Sequence, residues 1–263
     1  APTITIGSAV DNVVLTATSS TTWTYNWDIS SIAEGSYTVT VTGTDLVGNT
    51  YAGTDSITLT VDNTAPTATL SDNDADNLLS ATDSVTITAV FNESMSATPT
   101  ILISGSGTST SSVMTQISGT NSYTFNWDLS GSSLNDGTYT ATVSGTDLAG
   151  NAYSGTESIT FTLDTTAPTV TLTNTDNNNK VNTSSVVTFT AVFSEALQGS
   201  PTITIPGIVT DTPLTLVSGT TWKYTWDTSS GTLAEGSHTV SITGQDSAGN
   251  SATVTSTFVV DTT

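Results

Sequence analysis

The sequence predicts an all-β protein laid out as a row of similar sandwiches, and three observations carry that reading. Thr, Ser, Val, Ile and Gly dominate, and long stretches of Ala, Leu, Glu and Lys are absent, so almost every segment prefers strand or turn to helix. Short runs of alternating apolar and polar residues are bounded by Gly, Asn, Asp and Pro. The whole pattern then recurs with a period near 100 residues.

The period is read from three sets of marks. Trp27-Asp28, Trp127-Asp128 and Trp226-Asp227 lie 100 and 99 residues apart. Asp45-Leu-Val-Gly48-Asn49, Asp147-Leu-Ala-Gly150-Asn151 and Asp246-Ser-Ala-Gly249-Asn250 lie 102 and 99 apart, and Asp62-Asn-Thr-Ala-Pro66 precedes Asp164-Thr-Thr-Ala-Pro168 by 102. These marks divide the chain into an incomplete unit, 1–63, and two full ones, 64–165 and 166–263. Pro2-Thr-Ile-Thr-Ile6 matches Pro99-Thr-Ile-Leu-Ile103 and Pro201-Thr-Ile-Thr-Ile205, which stand about 35 residues into their own repeats. The first unit therefore carries strands C to G only. The opening Ala1-Pro2 reads as a processed or excised piece, a window on a longer chain, with strands supplied by another molecule as the alternative.

In the second unit the elements follow in order as A (67–71), B (84–92), C (99–104), D (112–118), E (122–128), F (138–145) and G (157–163). Such a series makes a seven-strand Greek-key sandwich of immunoglobulin type. On B, Val85, Ile87, Ala89 and Phe91 alternate with polar residues, as Val187, Phe189, Ala191 and Phe193 do one repeat later, which gives each strand one core face and one wet face. On E, aromatic triplets stand at alternate positions: Trp23, Tyr25, Trp27; Tyr123, Phe125, Trp127; and Trp222, Tyr224, Trp226. Period 2 in step with the other core faces assigns them to the core, in preference to a platform for sugars. His238 occupies the place of Tyr37 and Tyr139 and reads as structural. Thr-Ala-Pro between units fixes φ at the proline and makes a short, stiff connection, so the array is an extended rod.

Charge narrows the function. Asp and Glu number 23 against two basic residues, Lys180 and Lys223, for a formal charge of -21. Nucleic acid is excluded as a partner, since phosphate binding needs clustered Lys and Arg. So acidic a chain repels itself when compact, and bound cations relieve the repulsion. Cysteine is absent, which removes disulfides, thiolate chemistry and Cys-based metal sites. No apolar run is long enough to insert in a bilayer.

The recurrence of Trp-Asp, of Asp/Glu-Gly ahead of strand F, of Asp-x-x-Gly-Asn after it and of Asp-x-Thr-Ala-Pro at the junctions resembles the tandem bacterial immunoglobulin-like repeats of giant surface adhesins and other repetitive envelope proteins. The resemblance covers the whole chain. It implies an extracellular, cell-surface location and Ca²⁺ at the junctions between domains, stiffening the array.

The residues support the same chemistry. In a seven-strand sandwich the B–C and F–G loops share one end with the preceding unit's E–F loop and last strand. Glu34, Asp62, Glu93, Asp147 and Asn151 are expected to gather at the first junction, and Asp136, Asp164, Glu195, Asp246 and Asn250 at the second, while Asp45 and Asn49 form the equivalent loop of the first unit. Oxygen donors from several loops suit Ca²⁺, which takes about six to eight, whereas Zn²⁺ would call for His or Cys. The alternative is that Asp-x-x-Gly-Asn is turn chemistry alone. The loop Asp72-Asn-Asp74-Ala-Asp76 reads as solvated, because its counterpart at 174–180 keeps a single acid.

Enzymatic readings fail on inventory. A single His, no Cys and no Gly-rich phosphate loop leave no Ser-His-Asp set and no phosphate-binding cofactor site, and although paired carboxylates would suit a glycosidase by residue type, repetition near every 100 residues argues for identical modules and not for one site. The sequence is read as a structural spacer, the stalk of an adhesin, whose partners are the neighbouring repeats. A self-assembling filament, sheath or S-layer component, contacting copies of itself, and a carbohydrate-binding array are the alternatives.

Overall fold

The computed structural model describes residues 1–176, 178–229 and 234–263, all of them in strands, turns and loops. Among these residues no helix is long and apolar enough to cross a membrane. Asn177, within the acidic-loop counterpart 174–180, lies outside the described residues.

The first six strands are β1 (Thr3–Ile6), β2 (Val10–Val14), β3 (Thr16–Ala17), β4 (Trp23–Thr24), β5 (Gly35–Thr42) and β6 (Ser56–Val61). They form a sheet in the order β2-β1-β5-β6 and a separate pair, β3-β4. Next come β7 (Ala68–Asp72), β8 (Leu78–Leu79), β9 (Ser84–Phe91), β10 (Thr100–Gly105), β11 (Thr108–Val113), β12 (Thr115–Gln116), β13 (Ser122–Asp128), β14 (Gly137–Ser144) and β15 (Ser158–Leu163). Two sheets, β12-β13-β9-β7 and β11-β10-β14-β15-β8, face each other as a sandwich. The last nine are β16 (Val170–Asn174), β17 (Lys180–Val181), β18 (Val186–Phe193), β19 (Thr202–Ile205), β20 (Val209–Pro213), β21 (Thr215–Ser218), β22 (Thr221–Asp227), β23 (Gly236–Gln245) and β24 (Ser251–Val260). They repeat the arrangement as β16-β18-β22-β21 and β17-β24-β23-β19-β20. The fold is thus all-β, with tandem immunoglobulin-like sandwiches.

Alternation places the cores. Val85, Ile87, Ala89 and Phe91 of β9 are buried against Ile101, Tyr139, Ala141 and Phe161, and Val187, Phe189, Ala191 and Phe193 of β18 do the same one repeat later. Trp127 and Trp226 are buried, and Phe125, Trp222 and Tyr224 pack partly buried against the same cores, which leaves no aromatic platform on these strands for a sugar. Trp27, expected in the core, is only half-buried. Its unit has no strands equivalent to β7 and β9, so its core shrinks to Ile6, Val10 and Val39 with Ile4, Tyr25, Trp27 and Tyr37 around them.

His238 is structural in a specific way. The Tyr37 and Tyr139 hydroxyls each donate, at 2.8 Å, to the carbonyl four residues upstream, of Ala33 and Asn135, pinning the corner ahead of the long central strand. The His238 Nε2 makes the same 2.8 Å contact with the Ala234 carbonyl.

Two elements differ from expectation. The run 112–118 is not one strand: β11 begins at Thr108 and pairs with β10, then the chain crosses at buried Met114 and β12 pairs with β13 in the other sheet. The β10–β11 hairpin closes through Ser106 (φ 42) and Gly107 (φ 81), two successive left-handed residues whose twist matches the flanking strands. The short strands β8 and β17 run parallel to β15 and β24, the one parallel pairing in each sandwich among the described residues.

Candidate metal centre

The Asp-x-x-Gly-Asn segments are tight loops organised by their first residue. Asp147 is fully buried; its Oδ1 accepts the amides of Ala149 (2.8 Å), Gly150 (2.7 Å) and Asn151 (2.9 Å), and its Oδ2 accepts the Asn151 side-chain amide (2.8 Å). Asp246 and Asp45 take the corresponding bonds from Asn250 and Asn49. The bend passes through Gly150 at φ +99, a conformation that a Cβ would strain, and Gly48 and Gly249 both stand at +92. Burial opposes ionisation of Asp147 most strongly, but the bonds from Asn151, Gly150 and Ala149 together outweigh it and hold the carboxyl below its usual range.

Each of these loops in the full repeats is brought against its neighbours. Isolated bridges join Met95 to Asp147 and Leu197 to Asp246, which ties the B–C loop to the F–G loop in both sandwiches. The preceding unit arrives from the other side, where the Asn151 amide donates to the Asp62 carbonyl at 3.1 Å and the Asn250 amide to the Asp164 carbonyl at 2.8 Å. The result is a carboxylate triad at each junction: Asp62, Glu93 and Asp147, and again Asp164, Glu195 and Asp246, with one oxygen from each residue inside a 4.8 Å group. Glu93 is pushed above the usual glutamate value by desolvation and then by the charges of Asp62 and Asp147, and Glu195 by desolvation and then by Asp164 and Asp246. Three carboxylates held together against their mutual repulsion, without His or Cys, form a hard-oxygen donor set of the kind that Ca²⁺ takes.

The other expected ligands are placed differently. Glu34 stands beside the first triad, but its Oε1 accepts the Asn63 amide (3.1 Å) and a short bond from the Thr64 hydroxyl. Asp136 accepts the Thr165 amide (2.8 Å) and the Thr165 and Thr166 hydroxyls (2.7 Å each). Glu235 holds Thr262 in the same manner. These carboxylates clamp the start of each linker to the E–F corner. Sequence reasoning missed the linker threonines, although their recurrence beside Asp62, Asp164 and Asp261 was the available signal. Asp45 and Asn49 form their loop in the first unit, outside both triads.

A family model described as bacterial Ig-like domain (group 3) matches residues 21–162 and 121–204. No curated protein matches the sequence. Among solved structures, the chain is similar to a 1.5-MDa bacterial ice-binding adhesin, at 20% identity and TM-score 0.44, covering 88% of this chain and 76% of that one. It is also similar to a tetra-tandem repeat from the extending region of a large adhesion protein, at 26% identity and TM-score 0.37, covering 99% of this chain and 66% of that one. A Ca²⁺-stabilized adhesin of an Antarctic bacterium matches at 21% identity and TM-score 0.45, covering 86% of this chain and 57% of that one. The chain therefore spans somewhat over half to three quarters of the lengths of these structures.

Proposed function

Because the chain belongs to the bacterial Ig-like domain family, group 3, we propose that it is an extracellular structural spacer, a run of the stalk that carries a cell-surface adhesin away from the cell, and that Ca²⁺ at its junctions makes it rigid. The domain boundaries fall at 63/64 and 165/166. Asp62, Glu93 and Asp147 would hold the ion at the first junction, and Asp164, Glu195 and Asp246 at the second. When bound there, the ion would supply charge neutralisation to three carboxylates drawn from two units. The partners of each unit are the units on either side of it.

The observation that carries this reading is the coincidence of two triads built from the same three positions, each drawing one acid from the unit before and two from the unit after. Turn chemistry accounts for the aspartate of each F–G loop but not for the linker and B–C acids that meet it. Small-angle scattering with Ca²⁺ and with a chelator tests the proposal. A maximum dimension that shortens or broadens on chelation supports it, whereas identical profiles together with no calorimetric Ca²⁺ binding would leave an acidic array stiffened by its linkers alone. Monomeric behaviour under both conditions separates a stalk from a lateral assembly.

A further inference from the structure

The edge strand that follows the first hairpin of each unit is guarded in two units and open in the third. In the first and last units β2 and β20 are bulged, with Asp11 and Asn12 opposite Thr5, and Thr210 and Asp211 opposite Thr204. Asn12 (φ 51) and Asp211 (φ 42) are left-handed there, and their amides turn back to the Thr5 and Thr204 hydroxyls at 3.3 and 3.1 Å. A bulge, an acid and, in β20, Pro213 keep such an edge from pairing with another strand. The second unit has none of these devices on β11. That strand pairs with β10 without a register shift, its sequence Thr-Ser-Thr-Ser-Ser-Val carries no charge and no proline, and Leu102 stands in the place of Thr5 and Thr204.

The free side of β11 follows from its register. The Met114 amide donates to the Pro99 carbonyl at 3.0 Å, so alternation bonds Ser112, Thr110 and Thr108 to β10 and turns the amides and carbonyls of Val113, Ser111 and Ser109 outward. Beneath this edge the core also lacks a side chain. Val10, buried, stands opposite Ile6, and Val209, packed on its own core, stands opposite Ile205. The same place opposite Ile103 is held by Thr110, which is exposed. A pocket of about 70 Å³ opens there between β11 and β13, with Thr110, Ser112, Phe125, Trp127 and Leu134 in its wall.

We propose that the β11 edge is a docking site for an extended segment of another protein, which adds to the sheet as an antiparallel strand. Its backbone bonds to Ser109, Ser111 and Val113, and its residue opposite Thr110 points, as Thr110 does, to the inner face. A side chain of Val or Leu size at that position supplies over the pocket the aliphatic group that Val10 and Val209 supply in the other units. Charge selects the partner further: a chain of formal charge -21 attracts a basic segment and repels an acidic one or a second copy of itself. A second copy would also bring β11, whose inward side chains are Thr and Ser, and would leave the pocket unfilled. Main-chain bonds supply affinity, and the pocket supplies specificity.

NMR titration of the full chain with the synthetic peptide Lys-Thr-Val-Thr-Val-Thr-Lys tests this. Saturable one-to-one binding is expected, with amide exchange at Ser109, Ser111 and Val113 slowed at least about ten-fold. Affinity should fall at least about ten-fold for the peptide with both Val replaced by Ser. Thr110→Val, a β-branched exchange that a strand accommodates, should weaken binding by a similar factor, because it fills the pocket from within as Val10 and Val209 do. No saturable binding, equal binding by the Ser peptide or by the T110V chain, or protection confined to other residues would overturn the proposal. Self-association that protects the same amides without peptide would also overturn it, by assigning the edge to a second copy.

Discussion

The side-chain amide of Asn250 donates to the main-chain carbonyl of Asp164 across 2.8 Å, and so bonds the F–G loop of the last sandwich to the strand end of the one before it. The same amide also donates to Asp246 Oδ2 at 3.0 Å, so one side chain organises its own loop and the junction together. Asn250→Ala is expected to loosen this junction even in saturating Ca²⁺, with a net loss of about 1 kcal/mol per hydrogen bond, while the Asp62 junction is unaffected. Residual dipolar couplings measured on both sandwiches report the change. Unaltered relative alignment would mean that the linker alone sets the angle.

Asp164→Ala removes an acid from the second triad and leaves the F–G loop bonds of Asp246 in place. Calorimetry should then show Ca²⁺ binding at the first junction only. Asp147→Ala is expected to do more, because the amides of Ala149, Gly150 and Asn151 lose their acceptor as well. Unchanged stoichiometry in Asp164→Ala would remove the triads as binding sites.

Trp127 lies 5.6 Å, centroid to centroid, from both Tyr139 and Phe161. Trp127→Ala should cost about 3–5 kcal/mol in urea unfolding of its sandwich. Trp27, half-buried beside Tyr37, should lose clearly less on the same substitution. Equal losses would show that the open sheet of the first unit makes no difference to its core.

Two carboxylates respond to acid in opposite directions. Asp136 is held below its usual 3.8 by the Thr165 and Thr166 hydroxyls and then by the Thr165 amide. Its folded pKa is depressed, so the linker clamp contributes fully above 3.8 and is lost as pH falls through the lower folded value. Glu93 is raised above 4.5 by desolvation, then by Asp62 and Asp147. Here the folded state holds its proton more tightly, so without metal the junction is relieved at low pH and loses stability as pH rises through the window above 4.5. Carboxyl NMR titration with and without Ca²⁺ checks both signs. The cation should bring Glu93 down and leave Asp136 unchanged; a Glu93 titration indifferent to Ca²⁺ would contradict its role in the triad.

Much of this was legible because a strand with one buried face writes its own period. The run 122–128 is β13, and Val85 to Phe91 occupy the core face that alternation assigns them. A two-residue strand has no period to show, which hid Leu78–Leu79. The crossing at Met114 breaks alternation without a turn residue, so β11 and β12 read as one run, although Ser106-Gly107 marked the hairpin before it. Loop topology brought Asp62, Glu93 and Asp147 to one end of the sandwich. Whether Glu34 and Asp136 joined them depended on a competition with neighbouring hydroxyls, and side-chain reach across a junction is not written in residue spacing.

The parallel pairs at Leu78–Leu79 and Lys180–Val181 have a mechanical consequence. Each sandwich is entered at one pole and left at the other, so a pull along the array drags β8 and β15 in opposite directions along their length. The Thr162 amide on the Asn77 carbonyl and the Asp164 amide on the Leu79 carbonyl, both 2.8 Å, are then loaded simultaneously in shear instead of opening one after another. The last sandwich repeats this latch with Val259 on Asn179 and Asp261 on Val181.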